Sequence, residues 1–282
     1  MAENTKIEWA DHTFNPWIGC TKISQGCKSC YAETFAGRYM KIPWGNHDRH
    51  ITAPSTWAQP LQWQRKAEKL NTQYRVFTAS LADVFEDRPE LVVPRARLFD
   101  LIERTPNLTW MVLTKRLQDV ERLLPEAQKV FGLSRNVWLM TSICTQKEYD
   151  RFKPILDDLK TKYRIAVTGI SFEPLLENID LHLGAADWNI VGGESGFLKH
   201  TRKLEMKWVD QIYRTCLAER KAFFFKQTGV HLSKLYGLQT PSGTDIENLP
   251  SGIRYLALQQ LPGDMIKAKE ILAINTNQLT LF

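Results

Sequence analysis

The chain has 282 residues and a net charge of +6, with 43% hydrophobic and 24% charged residues, ordinary proportions for a soluble globular protein that buries a substantial core. The length suits one large α/β domain or a medium domain with an appendage, and the basic balance favours a polyanionic partner without identifying one. The opening MAENTKIEW has no apolar run, and no later window is apolar enough to span a bilayer. A secreted or membrane-anchored protein is therefore not expected, and the cytoplasm, where thiols stay reduced, is.

A first strand is expected near Lys6–Phe14. Directly after it comes NPWIGCTKISQGCKSCYA, from Asn15 to Ala32, which gathers Cys20, Cys27 and Cys30 of the chain's five cysteines in a C-x6-C-x2-C spacing. An odd cysteine count in a reducing compartment makes a disulfide framework the weakest reading, so the trio is expected to bind metal. A structural zinc would need a fourth ligand, for which His47 or His50 is available. Three thiolates would equally hold three irons of a [4Fe–4S] cluster and leave the fourth open. Spacing alone leaves both possibilities standing.

The segment from Arg38 to Lys69 interleaves Arg38, Lys41, His47, Arg49, His50, Arg65, Lys66 and Lys69 with Trp44, Trp57 and Trp63. It reads either as a phosphate-tracking, base-stacking surface or as a long loop whose tryptophans cover the fold.

Short β-prone runs follow at Arg75–Ser80, Thr109–Thr114, Val137–Ile143, Arg164–Phe172, Trp188–Val191 and Ala222–Phe225. Between them, Pro89–Thr105, Leu117–Phe131, Glu148–Lys162 and Lys207–Glu219 have helical periodicity. This alternation, without a Gly-rich dinucleotide fingerprint, predicts an α/β fold built as a partial or complete parallel (β/α) barrel over residues 1–237. From Leu238 the rhythm breaks into Pro/Gly/Ser turns, predicting a small C-terminal appendage over 238–272, with a helix-like piece at Asp264–Leu272, and an exposed tail over 273–282.

In such a barrel the active site lies at the C-terminal strand ends. Ser80, Asp83, Lys115, Arg116, Ser142, Glu173, Gly192, Gly193, Glu194, Lys226 and Gln227 all fall there, on the face where the cysteine motif opens. Cys144 lies just past one strand end, and Cys216, on the apolar stripe of a helix, reads as core.

Three cysteines ending in CxxCY after the first strand resemble the radical S-adenosylmethionine enzymes. More closely, NPWIGCTKISQGCKSCYA, TASLADVFED, LTKR, SFEPLL, IVGGESG and FFFKQTG together are similar to the phage-associated three-Cys-motif family, over about Ile7–Gly229. The resemblance implies kinship with spore photoproduct lyase, a radical enzyme that repairs a thymine lesion in DNA. It departs from the common C-x3-C-x2-C signature in its longer first gap, which must loop out without moving the thiols.

On that resemblance Cys20, Cys27 and Cys30 carry a [4Fe–4S] cluster and S-adenosylmethionine binds the open iron. An external donor supplies one electron. Ser80 and Asp83 are then expected at the methionyl amine, and Lys115 or Arg116 at the carboxylate. Ser142, Glu173, Gly192, Gly193 and Glu194 complete the cofactor-binding set, with Glu173 and the paired glycines nearest the ribose and adenine. Cys144 is the candidate hydrogen donor, and Trp17 and Tyr31 are candidate shields of the cluster.

Finally, Gln278, Leu279, Leu281 and Phe282 resemble the QLxLF pentapeptide that docks bacterial replication and repair proteins on the sliding clamp. The sequence is therefore expected to encode a radical enzyme repairing or modifying DNA bases at the clamp. The rivals are a non-catalytic, zinc-stabilised protein that binds DNA and the clamp, and a radical enzyme acting on a small metabolite.

Overall fold

The structure, a computed structural model, describes residues 2–262. Among the described residues ten strands form: β1 (Ala2–Glu3), β2 (His12–Phe14), β3 (Trp17–Ile18), β4 (His50–Ile51), β5 (Tyr74–Thr78), β6 (Leu108–Thr114), β7 (Val137–Ser142), β8 (Val167–Phe172), β9 (Trp188–Gly192) and β10 (Ala222–Gln227). Eight of them make one sheet in the order β1-β2-β5-β6-β7-β8-β9-β10. Only β1 runs antiparallel, so seven parallel strands remain. β3 and β4 pair separately.

The sheet curls into a half-barrel. Flat, β5 and β9 would lie about 19 Å apart at four strand spacings. Yet the Trp9 indole sits 4.5 Å from the Phe77 ring of β5 and 5.9 Å from the Trp188 ring of β9. Trp9, Met111, Met140, Trp188, Ile190 and Phe224 form a separate apolar cluster on the concave side that plugs the base of the half-barrel. Trp110, Val112, Leu139, Phe172, Val191 and Phe225 point to the convex side and join the main core. The period-2 alternation of strands sets this division.

Crossovers between parallel strands need long connections, supplied mainly by helices at Pro54–Leu70, Val92–Glu103, Gln146–Lys162 and Met206–Glu219. Three expectations need correction. Residues 6–11 are not strand; they form the turn that delivers Trp9. The expected helix over Leu117–Phe131 is broken into Val120–Leu123 and Glu126–Phe131 around Pro125, because proline cannot donate the helical hydrogen bond. Residues 54–70 are a helix rather than a loop, and Trp57 and Trp63 are each only 3% exposed, so neither is free to stack on a base.

Residues 238–262 pack against the half-barrel. Ile246, Leu249 and Leu256 join the main core. The outer edge of β10 is covered through Phe225 N–H donating to Leu258 O (2.8 Å) and Gln260 N–H to Phe223 O (2.9 Å), which removes an open sheet edge. The helix-like piece at Asp264–Leu272 and the tail lie outside the described residues. Among the described residues no helix is long and apolar enough to cross a membrane.

Candidate active site

Alternation that puts apolar side chains at the base of the concave face puts polar ones at its mouth. On β6 the inward series climbs from Met111 through Leu113 to Lys115; on β7 Met140 leads to Ser142, on β8 Ser171 to Glu173, and on β10 Phe224 to Lys226. The mouth encloses a cavity of about 370 Å³. Cys20, Cys27 and Cys30 all line it, together with Ser80, Asp83, Lys115, Arg116, Ser142, Glu173, Gly193 and Glu194. These eleven sequence-predicted residues therefore share one cavity, among 29 residues that line it.

The long first gap does loop outward. Ile23 is 48% exposed, and the chain returns through a short 3-10 turn, Gln25–Cys27, started by Ser24, whose Oγ accepts from Gly26 N–H. Arg202 holds this loop by donating from Nη1 to Gln25 O at 3.0 Å, and is itself paired with buried Glu194. Ser29 Oγ donates to His200 O at 2.7 Å. All three thiols are free. Burial pushes the Cys20 thiol up to about 12, with Asp83 and Glu86 adding to the effect and Arg116 opposing it; burial likewise raises Cys30. Metal binding at these sulfurs therefore displaces protons.

A buried charge chain fixes the base of the loop. Arg49 donates to Glu86 from Nε and Nη2, both at 2.7 Å, and Thr21 N–H reaches the same carboxylate at 3.1 Å. Arg116 donates to Asp83 at 3.1 Å, to Thr21 O at 2.7 Å and to Cys20 Sγ at 3.4 Å. Asp83 is saturated: Thr114 Oγ, Phe85 N–H, Lys115 N–H and Arg116 all donate to it. Its carboxylate organises the tips of β5 and β6, so the amine-binding role expected of it is not supported by its contacts. Arg116 likewise spends its donors within the protein, on Cys20 and its loop, rather than facing a ligand carboxylate.

Lys115 is different. Its ammonium donates to Ser142 Oγ and to Glu173 O and makes no ion pair among the described residues; the thiols of Cys144, Cys27 and Cys30 and the carboxylate of Glu148 act on it at longer range. Glu173 accepts from Ser171 Oγ at 3.0 Å and pairs with Lys226 at 2.9 Å. Gly192 sits behind that carboxylate: a Cβ there would stand 2.6 Å from Glu173 Oε1, so only glycine admits the approach. Ser80 follows Ala79, whose φ of 59° is a left-handed conformation uncommon for alanine. Asn15 pins this turn, donating to Ser80 Oγ at 3.0 Å and accepting from Leu81 N–H at 2.7 Å.

Cys144 is not brought to the cavity. It is fully buried beneath the cysteine loop, its thiol donating to Glu173 O at 3.6 Å, and burial pushes it up to about 11. A Cβ on Gly26 would meet its sulfur at 2.3 Å. Trp17 is also fully buried and does not line the cavity, whereas Tyr31 does, with its hydroxyl donating to Ser80 O at 2.8 Å. Cys216 lies in the core. His47 and His50 are exposed and line no part of the cavity. Gln278, Leu279, Leu281 and Phe282 lie outside the described residues. Sequence reasoning missed Asn15, Glu86 and Arg202, for which the only local signal was the acidic run in VFED; Arg49, read from the sequence as a possible phosphate-tracking cation, is instead buried against Glu86.

Three cysteine sulfurs on the wall of one cavity are a donor set that a cluster can use. Zinc draws its ligands around one point. Among the described residues no three His, Cys, Asp or Glu side chains are grouped to hold one ion. A cluster bound by three cysteines takes each thiolate at a different iron and so tolerates wider spacing. The lone ammonium of Lys115 and the guanidinium on Cys20 supply the positive surroundings that thiolates need.

Residues 4–265 match a family model described as protein of unknown function (DUF5131). No curated protein matches the chain. Two solved structures of spore photoproduct lyase, a cysteine-to-serine and a tyrosine-to-phenylalanine mutant, are similar over 80% of this chain at 13% identity and a TM-score of 0.44. The chain spans 58% of their length.

Proposed function

We propose that the chain, which belongs to the DUF5131 family, is a radical S-adenosylmethionine enzyme that repairs or modifies bases in DNA. The observation that carries this reading is the convergence of three free thiols, Cys20, Cys27 and Cys30, on one cavity at the C-terminal mouth of a parallel half-barrel. A [4Fe–4S] cluster and S-adenosylmethionine, when bound and given an electron by an external donor, supply a 5′-deoxyadenosyl radical for hydrogen abstraction.

The remaining work falls to the chain's own residues. Arg116 orients Cys20 and offsets thiolate charge. The Lys115 ammonium, in no direct ion pair among the described residues, is available to a methionyl carboxylate. Ser80, in the turn held by Asn15, offers its hydroxyl to the amine. Glu173 and Glu194, with the Gly193 backbone, present acceptors and donors for a ribose and an adenine. Trp9, Phe77 and Leu113 form an apolar floor that limits water around reactive species.

Recruitment to the sliding clamp through Gln278, Leu279, Leu281 and Phe282 is part of the same proposal and rests on the sequence motif. The test of the chemistry is reductive cleavage: iron-reconstituted protein with dithionite should release 5′-deoxyadenosine from S-adenosylmethionine, and Cys27→Ala should abolish it. Iron-replete protein that releases none overturns the radical assignment. Clamp capture by the full chain should be lost in Leu281→Ala/Phe282→Ala; capture unchanged by that pair rejects the tail as the docking element.

A further inference from the structure

A second recess, of about 620 Å³, lies between residues 31–39 and the loop 195–202. Ser29, Cys30, Tyr31 and Ser195 line both recesses, so the outer groove runs directly into the cysteine cavity. Phe35, Tyr39 and Phe197 form its walls and are 45%, 65% and 66% exposed, a clustering that soluble proteins seldom show without a partner. The Phe35 and Tyr39 rings lie 5.1 Å apart, and the Arg38 guanidinium sits 5.4 Å from the Tyr39 centroid. The backbone that carries them widens into π-helical geometry over Ala36–Met40, a distortion frequent at functional sites.

The charge around the groove is one-sided. Lys22, Arg202 and Lys203 are neutralised by Glu33, Glu194 and Glu205. Lys28, Arg38, Lys41 and Lys199 are exposed and make no ion pair among the described residues. Glu33 is the groove's one acidic wall residue among the described residues, and Lys22 compensates it. Flat aromatic faces interleaved with uncompensated cations match a polyanion that carries its own planar rings.

We infer that this groove binds a single-stranded stretch of nucleic acid. Bases stack on Phe35, Tyr39 and Phe197, phosphates lie against Lys28 and Lys199 on the groove's wall, and one nucleotide enters the cavity past Tyr31. A base within a duplex must be extruded to reach so recessed a site. What happens to that nucleotide rests on the function proposed above; its binding does not.

The experiment is fluorescence anisotropy with the full chain, both metal-free and iron-reconstituted. The probes are a labelled mixed-sequence oligodeoxynucleotide, the same sequence as RNA, and its DNA duplex. Single strands should bind at least about tenfold tighter than duplex, and Phe35→Ala, Tyr39→Ala and Phe197→Ala should each weaken binding about tenfold. Lys28→Gln and Lys199→Gln should each lower the slope of log K against log salt by about 0.7. Arg65→Gln/Lys69→Gln, on the exposed face of the helix Pro54–Leu70, should change neither. Comparing the DNA and RNA arms identifies the strand, and aromatic-dependent binding of either supports the groove. Groove variants that bind as wild type, or a loss that follows Arg65 and Lys69 instead, overturn it. Because the metal-free protein reads the groove alone, intact strand binding without S-adenosylmethionine cleavage removes the radical chemistry and leaves the groove standing; the opposite pair of results does the reverse.

Discussion

Glu86→Gln is the sharpest perturbation of the scaffold beneath the cysteines. Two guanidiniums, Arg49 and Arg116, share two carboxylates, Glu86 and Asp83, in a buried chain with no net charge. The Arg49 side chain is 0% exposed and that of Glu86 5%. Glutamine keeps the shape and some of the hydrogen bonds but strands one positive charge away from water. Removing one partner of such a pair costs about 3–5 kcal/mol, which for a chain of this size lowers the melting temperature by about 5–8 °C. The loss should depend on pH. Burial disfavours ionised Glu86, but hydrogen bonds from Arg49 and Thr21 and the charge of Arg116 outweigh it and hold the carboxyl below its ordinary value. Its contribution is therefore complete above the unfolded glutamate value and is lost as pH falls through the lower folded value. Thermal melts of wild type and Glu86→Gln, followed by circular dichroism across that range, should differ most near neutrality and converge in acid. A gap below about 1 kcal/mol at neutral pH, or one that widens in acid, would refute the neutral-chain reasoning.

Gly26→Ala should destabilise the chain by about 1–3 kcal/mol, because its methyl meets the buried Cys144 sulfur at 2.3 Å. Adding Cys144→Ala should recover much of that loss in a double-mutant cycle, and no recovery would place the strain elsewhere. Ala79→Gly should be neutral or slightly stabilising, since glycine relieves the left-handed φ of 59°; a loss above about 1 kcal/mol in urea unfolding would contradict this. Trp57→Ala should cost about 3–5 kcal/mol as a core deletion while leaving oligonucleotide affinity unchanged at temperatures where the variant is folded. A selective affinity loss would return Trp57 to the binding surface.

The strands were legible because each crosses a layer buried on both faces and so reads as an apolar run ending in polar residues, as in TWMVLT before Lys115 and Arg116. The cysteine motif was legible because its spacing is local. The helix Pro54–Leu70 was obscured by Pro60 and by tryptophans set among Arg65, Lys66 and Lys69; only the tertiary fold decides that Trp57 and Trp63 point inward. The pairing of Arg49 with Glu86 was illegible for a related reason, and Arg49 was read as a surface cation, because a buried charge is recognised by its partner and these two lie 37 positions apart. Asp83 was legible as a strand-tip residue, but the four internal donors that converge on it from the end of β6 and its own loop were not. Cys144 illustrates the same limit: its position after a strand was clear, but the loop that covers it comes from the start of the chain.

Iron content measured on anaerobically purified protein, with a visible spectrum before and after dithionite, tests the central claim most directly. A chain whose three thiols hold a [4Fe–4S] cluster should be brown, carry about four irons, bleach on reduction and lose its iron in Cys20→Ala, Cys27→Ala and Cys30→Ala. A colourless protein with about one zinc and no reconstitutable iron would contradict it.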